Sequence, residues 1–352
     1  MTADGAFDMS ENMNFVIFLL DAVDEKEFEK VIYDNPEYLD YFDGFTAYTN
    51  VMGMYPYTTR AVPYILFGEK YDNTYFYSNY LRRAINNSLF FQELFNKNFD
   101  CRVYFEYLYL TEINHSEFKN FVNVENFKSP EKFCKMLMKL TGLQYLPYEL
   151  KRFCVLTPED IYLDTLKTAE QQDIDYYSFN NKELYERIKS SKIREVKDNC
   201  FRFFYAHGAH APWLYDSEMN LLENGTYDEA IQCSVTLVNS YVEKLKESNV
   251  YDNTVIVILS DHGLNVSDPS SNYGKQNPIL LIKGLGEKHS FITNDAPVSH
   301  SDLQQAFIRL LNGCSSSEAF EWEEGDERER IHLISDVVIE SDIYEFVSSS
   351  HA

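Results

Sequence analysis

The chain has 352 residues, 45% of them apolar and 16% aromatic, enough for one large α/β domain with a deep core. Its 31 Lys and Arg against 56 Asp and Glu give a net charge of −25, a field that repels phosphate backbones and excludes a nucleic-acid-binding role. The longest purely apolar run near the amino end, residues 15–20, is far short of the ~20 residues a membrane-spanning helix needs, so no membrane segment is expected in this chain.

Residues 1–13 are polar and are expected to be loose. Residues 14–20 read as a strand buried on both faces, because the apolar side chains run on without alternation, and the strand ends in Asp21. Taken alone, Asp21 reads first as the N-cap of a helix over 22–30 and second as a carboxylate at a sheet edge. Residues 55–68 place Thr58 and Thr59 before an apolar helical run that ends at Gly68, a C′ glycine. The start of a helix favours an anion through its N–H groups and dipole, which suits a hydroxyl nucleophile attacking a phosphorus or sulfur ester. Either threonine also fits an ordinary N-cap. Pro63 predicts a kink or a later helix start.

Between 70 and 200 the sequence is least legible. A helix is expected over 86–96, an aromatic-rich strand over 101–110, and lysine-rich helices with solvated faces over 131–141 and 181–193. Six cysteines, at 101, 134, 154, 200, 233 and 314, show no paired spacing. Cys134 and Cys200 read as small buried apolar side chains. A strand from Phe201 runs into His207 and His210, two histidines three residues apart. Residues 227–248 form an amphipathic helix with Ile231, Val235, Val238, Val242 and Leu245 on one face. Residues 254–259 are a second fully buried strand, and it delivers Asp261, His262 and Gly263 to the carboxyl edge, where open α/β sheets build their sites. Alone, those three residues fit a plain strand-to-loop turn equally well. A helix over 298–313 and two closing strands, 331–338 and 343–347, complete the chain.

Four motifs stand in one order: Asp21 after a buried strand, Thr58-x-x-x-Val62-Pro63 at a helix start, His210-Ala-Pro212, and Ser260-Asp-His-Gly263. In this the chain resembles the alkaline phosphatase/sulfatase superfamily. Within it, the chain is similar to sulfatase-like phosphotransferases, the lipoteichoic acid synthases and lipid A phosphoethanolamine transferases. The resemblance runs from Asn14 to about Gly313 and is thin between 70 and 195. It implies a doubly wound, mainly parallel sheet with helices on both faces and a small C-terminal strand pair. It implies Asp21, Thr58, Asp261 and His262 as ligands of one divalent metal, with Thr58 also the nucleophile. It implies His210, Lys275, Arg60 and His207 as substrate-binding residues, although Lys275 fits a plain solvent lysine equally well and His207 lies one residue from the usual position. Asp21 departs from the Glu usual in the transferases and agrees with the sulfatases. Thr58 rather than Thr59 is the match, because Val62-Pro63 and Gly68 then fall at the family offsets. Sulfatases oxidise a Cys or Ser at this position to formylglycine. Threonine cannot become that aldehyde, which points to phosphoryl chemistry.

The function so implied is metal-dependent transfer or hydrolysis of phosphodiesters through a phospho-threonine, with a lipid-linked donor and a glycan or lipid acceptor. Two carboxylates, an imidazole and a hydroxyl suit Zn or Mn better than Ca. The alternatives are a sulfatase or phosphatase-type hydrolase of the same superfamily, and a non-catalytic binding module that keeps the fold. The resemblance also implies that residues 14–352 form the catalytic domain, with 70–200 as the variable part that shapes the acceptor site. Its place would be the extracytoplasmic face of a bacterial membrane, as the soluble domain of a longer membrane-anchored protein.

Overall fold

The computed structural model describes residues 1–71, 77–105, 118–121, 130–151, 154, 175–264, 277–335 and 343–348. The chain forms two compact units, one of Met1, 3–120 and 177–352, the other of Thr2 and 121–176. In chain order the strands begin with β1 (Asp8–Ser10), β2 (Asn14–Leu20), β3 (Thr46–Tyr48), β4 (Val51–Met52), β5 (Asp100–Tyr104) and β6 (Arg194–Val196). They continue with β7 (Cys200–Ala206), β8 (Thr254–Leu259), β9 (Leu280–Lys283), β10 (Ile292–Asn294), β11 (Val298–Ser299), β12 (Arg330–Ser335) and β13 (Ile343–Ser348).

Seven strands make the central sheet of the larger unit, ordered β10-β3-β9-β8-β2-β7-β5. β2 lies parallel between β7 and β8, and β5 lies parallel to β7. β9 runs antiparallel to both its neighbours. The carboxyl ends of β2, β7 and β8 therefore meet at one edge, which is where the sequence puts its chemistry. This is the mainly parallel, doubly wound sheet that the resemblance implies.

Every residue of β2, β7 and β8 is buried, because helices cover both faces of the sheet. Phe15 meets Phe90 and Phe307, from helices Leu89–Asn96 and Leu303–Leu311, at 5.1 and 5.8 Å between ring centroids. Phe18 points to the opposite face by the two-residue period of a strand. It stacks on Phe204 at 4.9 Å and meets Tyr241 of helix Tyr227–Glu247 at 5.0 Å. Burial of each such ring stabilises the fold by about 1.5–3 kcal/mol, so these rings fix the strands that carry the site. The long helix starts with a capping box, Thr226 with Glu229, and its buried face includes all five apolar positions read from the sequence. β12 and β13 pair antiparallel, the expected C-terminal strand pair; residues 336–338 lie outside the described residues.

Several expectations need correction. Residues 1–13 are not loose: β1 pairs in parallel with β6, and Met9 is fully buried in the core. Ala6 and Met9, set among polar residues, supply the apolar contacts that hold this segment down. The helix over 86–96 is two helices, Tyr77–Asn87 and Leu89–Asn96, divided at Ser88. The Ser88 hydroxyl accepts from the Phe91 N–H at 3.4 Å, an N-cap hidden inside an amphipathic pattern. Pro63 does not delay its helix, which runs Thr58–Phe67. Burial of every residue from Arg60 to Phe67 outweighs the ~3 kcal/mol an interior proline costs. Gly68 does end it, with φ 76° and its N–H bonded to Tyr64 O.

In the smaller unit the lysine-rich segment is helix Pro130–Tyr145, followed by Tyr148–Lys151. Its exposed side chains include Leu137, Met138 and Leu140, so the solvated face is not purely polar. Cys134 is exposed there, while Cys200 is buried as expected. All six cysteines are free thiols. No described helix is long and apolar enough to cross a membrane. Residues 106–110 of the expected aromatic strand fall outside the described residues.

Candidate active site

Asp21 is the first residue beyond β2, and its position is fixed by backbone on both sides. Its N–H donates to Ala206 O at 3.2 Å, and its carbonyl accepts from Ala209 N at 2.9 Å. Gly208 makes this approach possible. It has φ +60°, and a Cβ there would lie 2.4 Å from both Asp21 N and Asp21 O. Gly208→Ala should therefore destabilise the fold by roughly 2–4 kcal/mol, checked by denaturant unfolding. A loss under ~0.5 kcal/mol would mean that the close approach is not needed.

The helix after Asp21 is capped by Asp24 instead, whose side chain accepts from Lys26 N at 3.1 Å. That resolves the sequence ambiguity, because it leaves the Asp21 carboxylate for the site. Gly263 is required for the same corner: a Cβ there would lie 2.5 Å from Asp24 Oδ2 and 2.8 Å from Asn277 O.

Asp21, Asp261 and His262 converge, with one ligand atom from each lying within 4.8 Å of the others, and all three residues are buried. Each carboxylate divides its oxygens between two tasks. Asp261 Oδ1 accepts from Ala22 N at 3.2 Å and His262 N at 3.1 Å, and Asp21 Oδ2 accepts from the Tyr205 hydroxyl at 2.5 Å. The other oxygens, Asp21 Oδ1 and Asp261 Oδ2, are buried without a hydrogen-bond partner among the described residues. They lie 3.7 and 3.6 Å from His262 Nε2. His262 Nδ1 is 2.9 Å from Gly263 O and donates to it, which puts the ring's lone pair on Nε2, toward the carboxylates. Two anionic oxygens and one imidazole nitrogen, desolvated and converging, form a three-donor set that fits a divalent cation.

Without that charge the site is electrostatically unfavourable. Burial pushes the Asp21 carboxyl well above the usual carboxylate range, and the charge of Asp261 pushes it further. The Tyr205 hydrogen bond and the neighbouring Thr58 side chain act in the opposite direction. Tyr205 is one residue from the end of a buried strand and was not singled out in the sequence. A hydroxyl one residue from the carboxyl end of the strand was the available signal. Tyr205→Phe should weaken metal affinity about tenfold, as loss of a partner that orients a ligand does, measured by competition with a chelating dye. Unchanged affinity would reduce Tyr205 to a packing role.

Thr58 is the first residue of its helix, with Tyr57 at the cap position and no side-chain cap hydrogen bond. Its side chain reaches the Asp21 carboxylate closely enough to favour the ionised form. The four residues that the resemblance implies as ligands thus come from three separate segments to one place. Arg60 is buried on the same helix, with its guanidinium 5.3 Å over the Tyr71 ring. His207 and His210 follow β7 at the same sheet edge, their rings 5.8 Å apart. His207 Nε2 is buried without a partner among the described residues, and burial holds its pKa below the ordinary histidine value. His210 is exposed. A cavity of about 290 Å³ lined by Phe179, His207, His210, Trp213 and Tyr215 opens here, with Gly208 between it and Asp21. Lys275 lies outside the described residues.

His300 supports the site from below. It is fully buried, its Nδ1 accepts from Met54 N at 3.4 Å, and burial pushes its pKa down to about 3 against the opposing charge of Asp261. His332 of β12 donates through Nδ1 to Gly53 O at 2.6 Å. Two buried histidines thus hold the carbonyl and the N–H of a single peptide group, Gly53–Met54, on the loop that leads to Thr58.

No curated protein matches the chain. Among solved structures it is similar to Ps i-CgsB in complex with k-i-k-neocarrahexaose (15% identity, TM-score 0.53, covering 88% of this chain and 74% of that one). It is also similar to the lipoteichoic acid synthase LtaP from Listeria monocytogenes (10% identity, TM-score 0.52, covering 93% and 79%). A third is the C-terminal periplasmic domain of EcEptC from Escherichia coli (12% identity, TM-score 0.50, covering 94% and 93%). At these identities the likeness is one of fold. The sulfatase family model matches residues 14–313, and the chain belongs to the sulfatase family.

Proposed function

We propose that the chain is a metal-dependent phosphotransferase or phosphodiesterase that works through a phosphorylated Thr58. The observation that carries this reading is a threonine hydroxyl at a helix start, set beside Asp21 in the buried cluster with Asp261 and His262. Asp21, Asp261 and His262 would hold one divalent ion, Zn or Mn before Ca, with Thr58 completing the set. Such an ion lowers the pKa of a nearby hydroxyl and takes up charge developing on oxygen. The Thr58 oxygen forms a bond to phosphorus as the donor's P–O ester bond breaks, and the alcohol leaves with a proton. An acceptor hydroxyl or water then attacks the same phosphorus, and Thr58 is released. His210, His207, Arg60 and Lys275 are the proposed substrate-binding residues. The cavity beside the two histidines would seat the organic part of the donor or acceptor.

LtaP is a lipoteichoic acid synthase and EcEptC a periplasmic domain. By analogy the donor here is lipid-linked, the acceptor a glycan or lipid, and the domain extracytoplasmic. Residues 70–200 would shape the acceptor site. Sulfate-ester hydrolysis is the second reading, favoured by the family model itself. Purified protein loaded with Zn or Mn should hydrolyse bis(p-nitrophenyl) phosphate faster than p-nitrophenyl phosphate, and p-nitrophenyl sulfate least. Sulfate cleavage in excess of diester cleavage would reverse the assignment.

A further inference from the structure

The apolar surface of the chain is unevenly distributed. Of the twelve large apolar side chains that are exposed among the described residues, six lie within fourteen positions of the smaller unit: Leu137, Met138, Leu140, Tyr145, Leu146 and Leu150. Isolated exposed apolar residues are ordinary; a concentration of this kind marks a surface that is covered in use. At 100° per residue, Leu137, Met138, Leu140 and Tyr145 fall within an arc of ~160° on the helix Pro130–Tyr145, an arc shared with the exposed Cys134, Thr141 and Gln144, while Lys135 and Lys139 fall on the opposite side. Leu146 and Leu150 extend the apolar set into the following turn and the helix Tyr148–Lys151.

Local charge is also inverted. Residues 130–151 hold four lysines against two glutamates, in a chain whose net charge is −25. At physiological salt the Debye length is about 8 Å, so a surface meeting this helix responds to the local excess and not to the whole chain. A helix with a broad apolar face and lysines on the other face is built to lie in the plane of an anionic bilayer, leucines in the acyl boundary and lysines among the headgroups. We propose that the helix Pro130–Tyr145 docks the protein on an anionic lipid surface. The inference stands apart from the reaction assigned to Thr58, because it concerns binding and needs no turnover.

The test is co-sedimentation of the full chain with phosphatidylglycerol-containing vesicles and with pure phosphatidylcholine vesicles. The protein should sediment with the first, weakly with the second, and less with the first as salt is raised. The triple variant Leu137→Ser/Met138→Ser/Leu140→Ser should lose about tenfold in vesicle affinity. Lys135→Gln/Lys139→Gln should lose affinity for phosphatidylglycerol vesicles alone, and this pair keeps the test valid if the triple variant does not fold. Circular dichroism monitors folding in each. No sedimentation of the parent protein, or equal sedimentation of parent and a folded triple variant, would overturn the proposal. So would a parent that is dimeric and a triple variant that is monomeric by light scattering, since a second copy would then be what covers the face.

Discussion

Thr58→Ala is expected to lower turnover of a phosphodiester at least about a thousandfold, because it removes the hydroxyl proposed to form the covalent bond to phosphorus. Stability should change by less than about 1 kcal/mol. Tyr57 and not Thr58 holds the cap position, and alanine is a better helix former than threonine. Thr58→Ser should keep measurable activity, since a primary hydroxyl can make the same attack. Thr59→Ala should keep most of it, because the next side chain on a helix points about 100° away. Rates of bis(p-nitrophenyl) phosphate hydrolysis with metal content matched across variants make the comparison. Full activity in Thr58→Ala with loss in Thr59→Ala would move the nucleophile by one residue.

The second large effect is expected at Asp261. Asp261→Asn keeps the oxygen that accepts from Ala22 N and His262 N, so the backbone corner stays intact. What it removes is the carboxylate whose charge, together with burial, pushes the Asp21 carboxyl up. The amide that replaces Oδ2 can donate to Asp21, whose Oδ1 has no partner among the described residues. The metal-free variant should then be more stable than the metal-free parent by roughly 1–3 kcal/mol, while metal affinity falls at least about a hundredfold and activity is lost. The pH dependence follows the same charge. Asp21 in the metal-free fold holds its proton at pH values where the unfolded chain has lost it. Stability of the metal-free parent therefore falls as pH rises from the unfolded carboxylate value, about 4, through the raised folded-state value. Asp24, raised by burial to about 6, and Glu25, raised by burial to about 7, act in the same direction. Added Zn or Mn should stabilise the parent more at pH 8 than at pH 5, since the ion competes with that proton. Thermal unfolding with and without metal at both pH values checks the sign. Equal metal stabilisation at both would mean that the carboxylates are not the ligands.

Much of this was legible in the sequence because fully buried parallel strands leave an unambiguous signature. Residues 14–20 and 254–259 read as such strands without help, and the polar residues that end them are the site's carboxylates and imidazole. What the sequence left open was whether Asp21 capped the helix or stood at the sheet edge; the helix starts at Glu25 and not at residue 22, and Asp24 caps it. Only the backbone path through Ala22, with φ 56°, and Val23 separates the cap from the ligand. Ser88 shows the converse problem. A cap inside an amphipathic run looks like one more polar-face residue until the chain bends there. The amino-terminal residues were misread because their few apolar side chains are spread among polar ones, and a three-residue strand has no periodicity to detect. The role of Tyr205 was out of reach for a different reason. It acts across the fold, on Asp21, and no local spacing encodes a partner far away in sequence.

The most direct measurement of the central claim is capture of the covalent intermediate. Metal-loaded protein would be mixed with a phosphodiester donor in the absence of an added acceptor, quenched in acid within the first turnovers, digested, and mapped by tandem mass spectrometry. The account predicts a phosphoryl adduct on Thr58, absent from Thr58→Ala and from Asp261→Asn. Steady turnover with unmodified Thr58, or with the adduct on another residue, would contradict it.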